Sequence, residues 1–449
     1  MLGVREKSIY VDSKLSSGTV ESSIAVSRDL GKYFRCLDFY SIYDAEIVPS
    51  SGALNIPVLS IVLPLAWITG ADVYVDELDE TFAKSMNALQ LEFKRIYPDA
   101  PFKTKLIVKN LVNSGDIPDG TALLFSGGLD STYTLYGNIH SRPRLIMIFG
   151  VADIPVSNVE FQERIKAEYS AFAKRERLEI NFIRTNALEL MDHQRVRHLW
   201  GRFQGSHEGD FWNGIGYSLG QIGQAAPLSV GRFNRLLISA SYNEATSVQE
   251  HPDASSPDTD EKITWANFSV KHDGLCHRFE KATSLKELLN SKRSTLRVCW
   301  SGPEYLYPYT SLNCGRCEKC LRTIAALAYA GVDPNRCGFN VDESTFTLMK
   351  FLFEGKLLTH RSVETWWKPL QQAIPDEVEV DVHGSKNFFD WFRKANLDLM
   401  GKQPRTLLHS LYFILPYSIS QYGRIIHGSI FPNKKDVYKP IMPEEKRVR

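Results

Sequence analysis

From residue 121 onward, short apolar runs alternate with stretches of helical period. Residues 121–125 (TALLF) read as a buried strand, LDSTYTLYGNIH as a helix and RLIMIFG as a second strand. NVEFQERIKAEYSAFAKRE has the spacing of an amphipathic helix, LEINFIR is a third strand, and RLLISAS (235–241) is a later one. Strands separated by helices imply parallel pairing through right-handed crossovers, so the expected fold class is α/β with a doubly wound parallel sheet. Upstream, residues 1–115 read as a mixed α/β domain, with LSIVLPL as a strand and ETFAKSMNALQLEFKRI as a helix. LVNSGDIPDG (111–120) is a turn-rich break that closes this unit. Residues 245–264 are polar and read as a long active-site loop. Beyond Cys337 the pattern turns helical, with aromatic clusters TWWKPL and NFFDWFRK, and the tail NKKDVYKPIMPEEKRVR reads as solvated. The expected organisation is therefore 1–115, then 116–337 carrying the parallel sheet, then a helical region 338–449.

One uncharged stretch, 53–71, is long enough to raise a membrane span. It contains Pro57 and Pro64 and is bounded by Glu46 and Asp72. Helix breakers and acidic flanks favour a buried strand followed by a buried helix.

Composition changes this picture little. Among 449 residues, 43% are hydrophobic and 23% charged, as in an ordinary globular protein. A formal net charge of +1 gives no global footprint for nucleic acid, which makes a tRNA held through its phosphates an unfavoured substrate. The start, MLGVREKSIYVDS, lacks the apolar core of a secretory signal, so a cytoplasmic location and no membrane partner are expected.

The sharpest chemical signal is Ser126-Gly127-Gly128-Leu129-Asp130-Ser131, directly after one strand and before a helix. Two glycines let the backbone approach phosphate oxygens, and the helix N-terminus stabilises their charge. Ser126 and Ser131 can donate hydroxyl hydrogen bonds, and Asp130 can orient the loop or help hold Mg²⁺ on pyrophosphate. The bland alternative is a Gly-Gly turn opening a capped helix. No Gly-Lys-Ser/Thr follows, so this is not a Walker loop.

Seven cysteines form the second signal: Cys36, Cys276, Cys299, Cys314, Cys317, Cys320 and Cys337. The odd count and the Cys-x-x-Cys-x-x-Cys run argue for metal in a reducing compartment rather than disulfides. Cys299, Cys314, Cys317 and Cys320 fit a closed tetrahedral zinc site, with an iron–sulfur cluster as the competitor. Cys36, Cys276 and Cys337 read as ordinary buried cysteines.

The glycine loop resembles the PP-loop of the ATP pyrophosphatase superfamily, whose members release pyrophosphate and form an adenylate. With the cysteine run, the resemblance narrows to 7-cyano-7-deazaguanine synthase and covers roughly 121–330. RVCW before NCGRCEKCLRT matches the family's upstream cysteine and its HCGxCxxC. FWNGIGYSLGQIGQAA is similar to its Arg-Asn helix, with Asn213 at the Asn position. There are departures: IFGVADIP replaces a Tyr-Gly-Gln pattern and leaves Asp153 as the polar candidate, and the gap between Cys299 and Cys314 is long. The flanking regions look more like the larger QueC-like proteins of antiphage defence systems such as Qat and some CBASS operons. This resemblance implies a Rossmann-like sheet of the adenine nucleotide alpha hydrolase type, with ATP, Mg²⁺ and Zn²⁺ as cofactors. It also implies adenylation of a 7-carboxy-7-deazaguanine, with transfer to ammonia or to an amine on a partner protein from the defence operon.

Other residues are weaker candidates. His251, in Glu250-His251-Pro252-Asp253, lies where it could meet substrate or move a proton. Arg322 opens the helix after the cysteine run and could neutralise a phosphate. Asp273 and Arg278 follow a strand-like ANFSVKH, and Trp366-Trp367 reads as core rather than as a stacking platform. Two rivals remain: a non-catalytic scaffold that binds nucleotide, and a tRNA thiolase, which would want cysteines between Cys36 and Cys276, where this chain has none.

Overall fold

The computed structural model describes residues 7–203, 211–244, 259, 262–292, 294–300, 311–377 and 381–401. The chain divides into two compact units, Met1–Cys276 and His277–Arg449. No helix among the described residues is long and apolar enough to cross a membrane.

The first unit is built on one ten-stranded sheet. Its strands are β1 (Ser8–Ser16), β2 (Thr19–Val26), β3 (Asp38–Tyr43), β4 (Asp72–Asp79), β5 (Leu106–Val112), β6 (Thr121–Leu124), β7 (Arg144–Phe149), β8 (Ile180–Thr185), β9 (Arg235–Ser239) and β10 (Ser269–Asp273). They lie in the order β10-β9-β6-β7-β8-β3-β2-β1-β4-β5. β6 to β10 all pair in parallel. The chain steps from β6 to β7 and β8, then returns to the other side of β6 for β9 and β10. Numbered from β6, that is the order 3-2-1-4-5 of a doubly wound sheet, compatible with a Rossmann-like fold. The strands, and the helices α3 (Leu129–Gly137) and α4 (Val159–Glu176), fall where the hydrophobic pattern places them.

The N-terminal strands do not form a sheet of their own. β3 pairs antiparallel with β8 through Ser41↔Thr185, Ile42↔Arg184 and Tyr43↔Ile183, so the sheet runs on across the border expected at 115. The division at Cys276/His277 likewise coincides with neither of the expected borders.

LSIVLPL is not a strand. It lies inside α1 (Ile56–Thr69), a helix whose every residue is buried. An apolar run enclosed on all sides carries neither a period of 2 nor one of 3.6, so its pattern cannot distinguish the two. Pro57 sits in the first turn, where no amide partner is lost, and Gly70, in the left-handed region (φ 67°), ends the helix. Gln224, fully buried, fixes the surroundings of α1. Its side-chain amide donates to the Pro57 carbonyl at 3.2 Å and to the Gly220 carbonyl at 3.1 Å, and accepts from Ser41 Oγ at 2.6 Å. α2 (Glu80–Ile96) is amphipathic and capped by Asp79, whose carboxylate accepts from Phe82 N.

The described part of the second unit is helical, including α5 (Glu318–Tyr329), α6 (Glu343–Glu354) and α7 (Ser385–Phe392). Its two aromatic clusters pack together: Phe353 meets Trp367 at 5.1 Å and Phe392 at 5.3 Å, and Phe388 stacks on Phe392 at 5.1 Å. Trp367 is core, as expected, whereas Trp366 is only half-buried.

Candidate functional site

In a doubly wound sheet, ligands bind outside the carboxyl ends of the strands, at the point where strand order reverses. Here that point lies between β6 and β9, and the chain leaving β6 is the Ser126–Ser131 loop. Phe125 stays on the sheet, its amide donating to the Ile146 carbonyl at 2.8 Å. Gly127 then turns into the left-handed region (φ +74°), and Gly128 returns to extended backbone as the N-cap of α3.

That N-cap has no side chain to close the helix, whereas Asp79 caps α2 and Asn158 caps α4. The first-turn amides of α3 lie at the positive end of the helix dipole, where an anion is stabilised. Ser126 is exposed at the loop's crest and its Oγ accepts from Gly128 N at 3.3 Å. Ser131 is buried in the first turn, donating to the Gly128 carbonyl at 3.1 Å and lying 3.4 Å from Ser126 Oγ. Asp130 is half-buried in the same turn, and Leu129 is fully buried as an anchor. The structure thus brings together Ser126, Gly127, Gly128, Asp130 and Ser131.

The residue beneath the loop was not among the sequence candidates. Tyr169, on α4 and 1% exposed, packs against Gly127, and its hydroxyl donates to the Gly127 carbonyl at 3.4 Å. A Cβ at residue 127 would lie 2.0 Å from that hydroxyl oxygen, so only glycine fits on both steric and φ grounds. The sole signal in the sequence is a tyrosine on the apolar face Ile165, Tyr169, Phe172 of α4.

The other candidates are more scattered. Asp153 is half-buried in the turn after β7, on the same carboxyl edge of the sheet as the loop. Asn213 is half-buried in the π-helical turn Trp212–Gly216, a turn that accepts a hydrogen bond from Tyr97 through the Gly214 carbonyl at 3.4 Å. Ser239 ends β9 beside the loop's strand, and its buried Oγ has no hydrogen-bond partner among the described residues. Asp273 ends β10 and accepts from Asn138 Nδ2 at 3.1 Å, a structural tie to the end of α3. His251 lies outside the described residues.

The second unit holds the cysteines. The four Sγ atoms of Cys299, Cys314, Cys317 and Cys320 lie within 4.8 Å of one another. Cys299–Cys317 is 4.0 Å and Cys314–Cys320 is 3.9 Å. Two sulfurs at ~2.3 Å from a tetrahedral zinc stand about 3.8 Å apart, so the cluster has the size of a single-ion site. A cluster of several irons would hold its cysteines farther apart. Gly315 takes φ +67°, which folds the chain so that the amides of Arg316 and Cys317 point at Cys314 Sγ, at 3.5 and 3.2 Å. Amides aimed at a sulfur favour its thiolate. Within the cluster, Cys314 is held well below the ordinary thiol range by hydrogen bonds from Cys299, Cys317 and Cys320. Cys317 is lowered to about 6, first by its hydrogen bond with Cys299. Cys299 and Cys320 are pushed up as the donors of this network, Cys299 chiefly towards Cys314 and Cys320 chiefly towards Cys299. Asn313 secures the approach, accepting from Val298 N at 2.8 Å and donating to the Leu296 carbonyl at 2.6 Å.

Arg322 belongs to this second unit, two residues beyond Cys320. It is 7% exposed, with its guanidinium 4.0 Å from the Trp366 ring centroid and 5.4 Å from that of Trp300. Arg278 is similarly buried and donates to Thr323 Oγ1 at 2.9 Å. The fold and site together define an α/β protein with a candidate anion-binding loop and a four-cysteine cluster able to hold a metal such as zinc. No family model matches the chain, and no match was found among curated proteins or solved structures.

Proposed function

We propose that this chain cleaves ATP between its α- and β-phosphates to activate a carboxylate as the adenylate. The observation that carries the reading is the helix N-terminus without a side-chain cap, entered through Gly127-Gly128 at the reversal point of a 3-2-1-4-5 sheet. Backbone amides and hydroxyls converging there suit a multiply charged phosphate chain. Ser126, Ser131 and the first-turn amides of α3 would hold the leaving pyrophosphate. Asp130 would hold Mg²⁺, which would supply charge neutralisation of the phosphates when bound. The carboxylate oxygen attacks the α-phosphorus as the bond to the bridging oxygen breaks, releasing pyrophosphate. An amine nitrogen then attacks the acyl carbon and loses a proton as AMP departs. Positioning and charge stabilisation suffice for both steps, without a protein nucleophile.

The narrower identity of the substrate rests on the resemblance to 7-cyano-7-deazaguanine synthase and to QueC-like defence proteins. On that basis the carboxylate is that of 7-carboxy-7-deazaguanine, and the amine is ammonia or a group on a partner protein. Asp153, Asn213 and His251 are then candidates for substrate and nucleotide contacts, and the cysteine cluster holds structural zinc. The test is AMP release from ATP and Mg²⁺ with and without 7-carboxy-7-deazaguanine, followed by mass spectrometry of the base. Asp130→Ala should abolish AMP formation with an unchanged melting temperature; wild-type turnover in that variant would sink the assignment.

A further inference from the structure

We infer that Tyr169 is a positioning residue for the phosphate loop: its hydroxyl fixes the Gly127–Gly128 peptide plane so that the Gly128 amide faces the phosphates. The inference rests on the ATP reading above.

In a trans peptide the carbonyl and the following amide point in opposite directions. The Gly127 carbonyl accepts from the Tyr169 hydroxyl at 3.4 Å, on the α4 side of the loop. The Gly128 amide is therefore turned the other way, and it donates to Oγ of Ser126, the exposed residue at the crest, at 3.3 Å. A Gly-Gly peptide is the one most free to rotate, because neither flanking residue has a Cβ to restrict it. Rotated by half a turn, the plane would present a carbonyl oxygen to the phosphates in place of an N–H, exchanging attraction for repulsion. Something outside the loop has to select the orientation, and the phenol is placed to do so. Its own position is fixed by an edge-on contact with Phe125 at 5.6 Å and with Phe172 at 6.4 Å, while Phe125 stacks on Phe172 at 5.5 Å. The ring also closes the space beneath the loop, since a Cβ on residue 127 would meet its Cζ at 2.1 Å. Phe125 is the residue that joins β6 to the loop, so one aromatic group sets both the strand exit and the plane that follows it.

The hydroxyl and the ring make separable contributions. Tyr169→Phe keeps the ring and frees the peptide plane, whereas Tyr169→Leu removes both. Calorimetric titration of the full chain with magnesium pyrophosphate and with MgATP, beside thermal melting, tests the inference. Tyr169→Phe should melt close to wild type, yet bind pyrophosphate and ATP about tenfold more weakly, the scale of one hydrogen bond. Tyr169→Leu should lose both melting temperature and binding. Wild-type affinity for pyrophosphate in Tyr169→Phe overturns the inference while leaving the ATP reading intact. Parallel losses of melting temperature and binding in both variants also overturn it, by making the phenol a packing residue only. A wild-type chain that binds neither pyrophosphate nor ATP overturns the ATP reading, and the inference with it.

Discussion

At the scale of single residues, the loop is decided by what cannot be present. Gly127 has φ +74° and rests on the Tyr169 phenol, so an added methyl meets both an unfavourable backbone region and an oxygen 2.0 Å away. The left-handed conformation alone costs a non-glycine residue about 1–2 kcal/mol, and the buried ring cannot yield without disturbing Phe125 and Phe172. Gly127→Ala should therefore lower the melting temperature by several degrees and abolish pyrophosphate binding; a variant that melts and binds like wild type would remove the loop from the site. The glycines, serines and Asp130 were legible because strand exit, turn and helix start are local features with known residue preferences. Tyr169 was not, because it reaches the loop from 42 residues away and only the fold makes them neighbours. The Ser239 hydroxyl, without a partner among the described residues, was hidden for the same reason: nothing in RLLISAS says which polar atom ends so.

At the scale of elements, the parallel strands were readable as short apolar runs bounded by turns, and the amphipathic helices because each shows one face to water and keeps its period. The enclosed α1 does not, and its identity is set by what surrounds it rather than by its own pattern. Gln224 is the clearest part of those surroundings, since one side chain joins α1, β3 and the Gly220 carbonyl. Gln224→Leu keeps the volume but leaves Ser41 Oγ without its acceptor and removes one donor each from the Gly220 carbonyl and from the Pro57 carbonyl, which still accepts from Ser60 Oγ at 2.6 Å. At about 1–3 kcal/mol for a buried group left unsatisfied, stability should fall by about 2 kcal/mol. Urea unfolding with an unchanged m-value would register that loss. A shift under half that size would mean that the interior of this region relaxes around the change.

At the scale of the whole molecule, sequence misplaced the seams, because long-range pairing leaves no local mark. β3 joins β8 across some 140 residues of chain, and that one antiparallel pairing takes the N-terminal strands into the doubly wound sheet. The cysteine cluster, by contrast, was legible down to all four of its members, since three of them lie within seven residues and the fourth was the nearest cysteine upstream. Its consequence is a dependence on pH with a definite sign. A tetrahedral ion requires four thiolates, so the metal-bound state carries fewer protons than the metal-free one, and acid favours release. Stability contributed by the ion is thus present near neutral pH and lost as pH falls. The purified chain should contain one zinc per molecule by mass spectrometry of the metal, and should lose it together with melting temperature on acidification or chelation. Cys320→Ser should show the same loss already at neutral pH. A chain that melts identically with and without a chelator at pH 7 would show that the cluster contributes nothing to stability through a metal, whatever its geometry permits.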